Sequence, residues 1–275
     1  MKCFYHSADL DGHCSGFIVK IAHPEAELIG INYGEPFPWD EIRESDEIVM
    51  VDFALQPYDS EMTRLLCSHD VTWIDHHKTA AIVTETCAFK GVFRVGIGAC
   101  ALCWEYYFPE KPLPTFVKLL AEYDIWNHSD PRTLPFQYGM RQFKDTWPDN
   151  QDLWHSLFDV EEVHRICGVG QVILDYQNAE NEKYAASCAF ETELDGLKCI
   201  AINKMLTNSK VFDYVWNPEE YHMMLSFGWR KGKWTVILYS TRPDVDCSVI
   251  AKSHGGGGHK GASGFQCKDL PFRLG

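Results

Sequence analysis

The chain is short of positive charge: 25 Lys+Arg stand against 39 Asp+Glu in 275 residues, a formal net charge of −14. A surface that coats long nucleic acid needs many cations facing phosphates, so that class is disfavoured. Long apolar runs are missing as well. No segment reaches 18 uninterrupted apolar residues, and MKCFYHSAD offers neither a basic, apolar signal pattern nor an Arg-rich leader. The expectation is a soluble, untargeted, cytoplasmic protein with no membrane partner. Zinc-type cysteine pairs are also lacking. Eleven cysteines occur singly, an odd number that suits reduced thiols better than a disulfide framework. The one C-x-x-C, Cys100 to Cys103, lies in the apolar helical pattern GACALCWEYYF, where core packing is the better reading. Internal repeats are absent, and the glycines of GGGGHKGASGF form the single low-complexity stretch.

What is present is enough apolar material for a large core, 45% hydrophobic and 13% aromatic, in a length suited to one large domain or two ordinary ones. The charge is uneven. Residues 1–185 hold 14 Lys+Arg against 30 Asp+Glu, a net −16, whereas residues 186–275 hold 11 against 9, a net +2. An acidic part and a mildly basic part invite a division between metal and anionic substrate.

Short β-branched runs alternate with helical patterns: KCFYH, DGHCSGFIVKIA, ELIGINY, EIVMVDFA, YDSEMTRLLCSH and VTWIDHH. That alternation predicts an α/β fold with a parallel sheet and crossover helices. Helices are expected over 98–108 and in TFVKLLAEYDIWNH, and the polar stretch GQVILDYQNAENEKYAA reads as a connector. Beyond it, LKCIAINK reads as a strand, YHMMLSFGW and KWTVILYST as a hairpin about RKGK, and DVDCSVIAKSH as a helix. The domains expected are residues 1–160, a helical connector 161–189, and a smaller α/β domain 190–275.

Ionisable residues collect at the strand ends. His6, Asp9 and Asp11 follow the first strand, Asp52 ends EIVMVD, Asp75, His76 and His77 close VTWIDHH, and Asp124 sits in the helix AEYD. A single aspartate after a strand is usually a turn residue or helix cap. In open α/β sheets, however, strand carboxyl ends share one edge, so these residues should converge there. Packing so many carboxylates together is costly unless cations compensate. Carboxylate and imidazole ligands without cysteine favour Mn²⁺ or Mg²⁺ over structural zinc. Two ions about 3.5–4 Å apart, sharing one carboxylate, form the usual clamp for phosphoryl chemistry, and Asp52, at the central strand end, is the natural bridge.

HSADLDG, VDF, IDHH and AEYD, in this order and with a distal GGGGHKGASGF, resemble the DHH phosphoesterase superfamily with its DHH-associated C-terminal domain. The HSADLDGH form is most similar to the oligoribonuclease (nanoRNase) and cyclic-nucleotide phosphodiesterase branch. The resemblance implies two divalent ions, Mn²⁺ first and Mg²⁺ or Co²⁺ as alternatives. It gives one ion to His6, Asp9 and Asp52, and the other to Asp11, Asp52, His76 and Asp124. His77 would contact the scissile phosphate, acting with Asp52 in catalysis, and Asp75 would orient an imidazole through its ring N–H. Many members place the first histidine four residues before the first aspartate; here the gap is three, so direct ligation by His6 is a question for the structure. The activity implied is cleavage of short single-stranded oligonucleotides or dinucleotides to mononucleotides. A RecJ-like exonuclease, a cyclic-dinucleotide phosphodiesterase and a non-enzymatic nucleotide sensor are the alternatives. The GGGGHKG loop separates the chain from family II pyrophosphatases. RNA or DNA preference and oligomeric state, a homodimer included, stay open.

Gly256, Gly257, Gly258, His259 and Lys260 formally make a glycine-rich loop whose N–H groups and one cation suit a phosphate, and the resemblance assigns it to substrate capture. Arg242, in YSTRPD, resembles a phosphate-contacting arginine, with an ordinary surface charge as the alternative. His13 and His128 flank the motifs without an assigned role. Trp126, Trp216, Trp229 and Trp234 could stack bases, although core packing is expected for most of them.

Overall fold

Runs that can bury both faces become the strands of a parallel sheet. In a computed structural model that describes residues 1–275, β1 (Lys2–His6), β2 (Glu27–Ile31), β3 (Glu47–Val51), β4 (Asp70–Asp75) and β5 (Lys90–Phe93) pair in the order β2-β1-β3-β4-β5, all parallel. Alternate side chains feed two cores. Cys3, Tyr5, Val49 and Val51 pack with α1 (Leu10–Ala22), whereas Phe4, Ile48, Met50 and Trp73 pack on the other face. Short helices α2 (Thr63–Ser68) and α3 (Ala81–Thr86) precede β4 and β5. Next come α4 (Ala99–Tyr107), α5 (Thr115–Asp124), α6 (Thr133–Met140) and α7 (Gln151–Ser156). Cys100 and Cys103 are buried in the first core, as packing residues should be. No helix is long and apolar enough to cross a membrane.

The long helix α8 (Val160–Cys188) covers the stretch where a connector is expected, and the division into compact units, Met1–Leu174 and Asp175–Gly275, falls inside it. In the second unit, β6 (Phe190–Leu194), β7 (Leu197–Ile202), β8 (Met223–Arg230) and β9 (Lys233–Tyr239) precede α9 (Cys247–Ser253), β10 (Gly257–Gly258) and β11 (Ala262–Cys267). The sheet is mixed, ordered β10-β11-β9-β8-β7-β6, with β7 and β8 as its parallel pair. The β8–β9 hairpin turns at Lys231 and Gly232, both at positive φ, as a two-residue loop of this hand requires. The chain is thus α/β, with a parallel-sheet unit followed by a smaller mixed one.

The tryptophans correct one expectation. Trp216 and Trp234 are half-buried and pack against the cores of the second unit, but Trp126 and Trp229 are exposed at 43% and 58%, so core packing holds for two of the four rather than most. Trp229 and Trp234 face each other across the hairpin, rings 5.3 Å apart, so exposed Trp229 rests on its core-packed partner.

Candidate metal centre

The sheet order makes β1, β3 and β4 neighbours, so His6, Asp52 and Asp75 come to one edge. Asp52 is held at φ +55, a conformation uncommon for a non-glycine residue. Its N–H donates to the Ile74 carbonyl at 2.9 Å, and the buried Trp73 Nε1 donates to the Phe53 carbonyl at 3.0 Å. Those two bonds fix the turn on both sides of the carboxylate. Gly12 is needed nearby, because a Cβ there would collide with the His6 carbonyl and push α1 away from β1. At Gly98, a Cβ would meet Ala121 Cα at 2.6 Å, so glycine lets α4 begin close against the α5 helix that carries Asp124.

The carboxylate of Asp52 divides its oxygens between two groups. Oδ2 lies 3.5 Å from His6 Nδ1, which in turn is 3.0 Å from Asp9 Oδ2. Oδ1 lies 3.2 Å from His76 Nε2, and that nitrogen is 3.2 Å from Asp124 Oδ2 and 3.8 Å from Asp11 Oδ2. The sets His6–Asp9–Asp52 and Asp11–His76–Asp124 each gather one donor atom per residue within 4.8 Å, as does Asp52–Asp75–His76–His77. His6 therefore reaches the centre despite its shorter spacing from Asp9.

Two aspartates act as helix caps as well. Asp9 Oδ1 accepts from Gly12 N at 2.9 Å and caps α1, leaving Oδ2 to face His6. Asp11 accepts from Ala99 N at 2.7 Å and Cys100 N at 2.8 Å, so it caps α4 across 88 residues of sequence. A carboxylate oxygen has lone pairs for both a cap and a cation. Asp75 is fully buried, and its Oδ1 accepts from the N–H groups of His76 and His77 and from His77 Nδ1 at 2.7 Å. It holds the ring of His77 in place.

Charge compensation is visible in the proton affinities. Burial alone would depress the histidines, but Asp52 and Asp9 push His6 up to about 11. Asp52 with Asp124 pushes His76 up to about 10, and Asp75 with Asp52 pushes His77 up to about 9. Burial and the Asp52 charge raise Asp11 to about 6. Burial opposes ionisation of Asp52 too, yet His6 and His76 hold it well below the usual carboxylate range. Both Asp52 oxygens and His6 Nδ1 are buried without a geometrically sound hydrogen bond. An orphaned carboxylate between two imidazoles, with oxygen and nitrogen donors and no sulfur, fits a pair of divalent cations.

Residues with no motif also shape the centre. Buried His13 has Nε2 3.1 Å from the Ser7 carbonyl and Nδ1 3.1 Å from Thr146 Oγ1, pinning the turn before Asp9, and burial lowers its pKa. Tyr33 and Phe53 lie beside His6, with ring centroids at 5.6 and 6.0 Å. Phe53 lies in the VDF motif without an assigned role, and Tyr33 ends the run ELIGINY, two residues past the end of β2.

The residues singled out in the second unit are more occupied than an open phosphate nest would be. Gly256 N donates to the Ala251 carbonyl and His259 N to the Ala262 carbonyl, because the glycine run closes α9 and turns into the β10–β11 hairpin. Lys260 Nζ donates to the Pro243 carbonyl at 2.7 Å. The Arg242 guanidinium is bidentate on Asp244, at 3.0 and 2.7 Å, and also reaches the Pro218 carbonyl at 2.8 Å. Two N–H groups of the loop, the Lys260 ammonium and the Arg242 guanidinium are thus already engaged within the unit.

No family model matches the chain. It is 30% identical over 238 residues to uncharacterized protein R106 of Acanthamoeba polyphaga mimivirus, matching 82% of this chain but 54% of that one. It therefore spans about half of that relative. It is 25% identical to oligoribonuclease NrnB of Bacillus subtilis (strain 168), over the whole chain and 75% of the relative. Among solved structures, the pGpG-specific phosphodiesterase PggH from Vibrio cholerae shares the fold at TM-score 0.54 and 12% identity, covering 96% of this chain and 92% of that one. An exopolyphosphatase-related protein from Bacteroides fragilis does so at 0.51 and 14%, covering 98% and 87%. The chain is thus a two-unit α/β protein that shares its fold with these two structures and gathers Asp/His groups able to hold metal ions. Its Asp75-His76-His77 motif, set among those partner carboxylates, resembles that of the DHH phosphoesterases, and the chain is similar in sequence to NrnB.

Proposed function

We propose that the protein is a divalent-metal-dependent phosphodiesterase that hydrolyses short oligonucleotides or dinucleotides to mononucleotides, with Mn²⁺ as the preferred ion. The observation that carries this reading is the division of Asp52, Oδ2 toward His6 and Oδ1 toward His76, with neither oxygen otherwise bonded. His6, Asp9 and Asp52 would hold one ion, and Asp11, Asp52, His76 and Asp124 the other. Bound there, the ions supply positive charge to phosphoryl oxygens and acidify a water.

The chain's own groups supply the rest. Asp75 keeps the His77 ring oriented and raises its proton affinity, so this ring is the proposed donor toward the charge that develops on phosphate. The NrnB likeness supports an oligonucleotide, and the net charge of −14 supports a short one, because long strands are held by many phosphate contacts. His259 and Lys260 remain the proposed substrate contacts of the second unit. Arg242 could join them only by giving up Asp244.

The test is purified protein with Mn²⁺ and end-labelled ribo- and deoxyribo-oligomers two to ten nucleotides long. Release of mononucleotide, fastest from the shortest chains, is expected. Tight nucleotide binding without turnover would replace the enzyme with a nucleotide sensor.

A further inference from the structure

Beside the metal centre, the first unit contains a cavity of about 600 Å³ lined by the loop that follows β2, by Phe53 and by Gln56. Its walls are aromatic: Tyr33 and Phe53 are stacked at 4.4 Å, and Phe37 and Trp39 stand edge to face at 4.9 Å. The cavity wall borders the centre, since Tyr33 lies 5.6 Å from His6 and 6.0 Å from His77. No lysine or arginine lines it, whereas Glu35 and Glu61 do; the Arg64 guanidinium covers one face of Trp39 at 3.9 Å and lies 3.8 Å from Glu61. Carboxylates repel a phosphate, so the occupant is a neutral part of a ligand whose anionic part sits at the metals. Polar edges are available for it. Gln56 donates from Nε2 to Tyr58 Oη, which leaves its carbonyl as an acceptor toward exocyclic amines.

We infer that this cavity is a nucleobase subsite, holding the base of the nucleotide whose phosphate lies at the metal centre. Aromatic faces accept any base by stacking, and the Gln56 carbonyl and Glu35 carboxylate accept hydrogen bonds from ring N–H and amino groups. This inference rests on the phosphodiesterase reading for the placement of the phosphate, but its test does not require turnover.

The experiment is calorimetric titration of the full chain, with Mn²⁺ present, by AMP and by ribose 5-phosphate. The comparison is repeated with Trp39→Ala and with Gln56→Ala, the latter altering an exposed side chain that leaves the core untouched. AMP is expected to bind the wild type about tenfold more tightly than ribose 5-phosphate, the scale of one stacked base. Each variant should cut that advantage to about threefold or less. Equal affinities in the wild type, or an advantage that persists in both variants, would overturn the subsite. Base-selective binding without hydrolysis of any oligomer would uphold the cavity and remove the phosphodiesterase reading; hydrolysis with no base selectivity does the reverse.

Discussion

The Oδ1 atom of Asp75 accepts the Nδ1–H of His77 at 2.7 Å while also receiving the backbone N–H groups of His76 and His77. One fully buried carboxylate thus sets the backbone of the motif and the orientation and charge of its second histidine.

Asp75→Asn should keep the packing but remove the charge that raises His77. Loss of activity of about 10- to 100-fold is expected, the usual effect of removing such an orienting partner. The acidic displacement of the alkaline limb of the kcat profile checks the cause. A variant with lowered kcat and an unmoved profile would mean that Asp75 acts through packing alone.

Without metal, stability should fall as pH rises above neutrality. His6, His76 and His77 have folded pKa values of about 11, 10 and 9, above the ordinary histidine value of about 6.5. Their contribution is complete below about 6.5 and is lost as pH climbs through 9 to 11. Asp52 works the other way, but only at strongly acidic pH, where its depressed pKa lies. Because metal and proton compete for the imidazoles, Mn²⁺ affinity should rise over the same range with proton release. Calorimetry in buffers of different ionisation enthalpy checks this, and pH-independent affinity between 6.5 and 9 would contradict it.

Gly12→Ala should separate α1 from β1, since the added Cβ meets the His6 carbonyl. Overpacking of this kind costs about 1–3 kcal/mol, readable as a lower melting temperature, and metal binding should weaken with it because His6 and Asp9 flank the contact. Unchanged stability and metal affinity would show that the junction gives way freely.

His259→Ala should raise KM several-fold and leave kcat nearly unchanged, as expected of a group that binds substrate without taking part in chemistry. Lost kcat at constant KM would place the residue in the reaction itself.

The alternating pattern made the parallel sheet legible, and with it the edge where His6, Asp52 and Asp75 meet, because connection rules convert strand order into proximity. Proximity in sequence said nothing of the capping of α4 by Asp11, 88 residues away, which depends on how α1 and α4 pack. The left-handed turn at Asp52 was hidden for a similar reason: it is imposed by Ile74 and by the indole of Trp73 on the next strand, not by a local turn residue. Arg242 in YSTRPD resembles a phosphate-contacting arginine, yet its neighbour two residues on, Asp244, closes on it. The glycine run read as an open loop, but glycines also close helices and pair as strands, and here they do both.

The central claim is that Asp52 joins two metal ions. Anomalous diffraction at the manganese edge, on crystals of the full chain grown with Mn²⁺, tests it most directly. The expected result is two peaks about 3.5–4 Å apart, one beside His6, Asp9 and Asp52 Oδ2 and the other beside His76, Asp124 and Asp52 Oδ1. A single peak, or two that do not share Asp52, would contradict it.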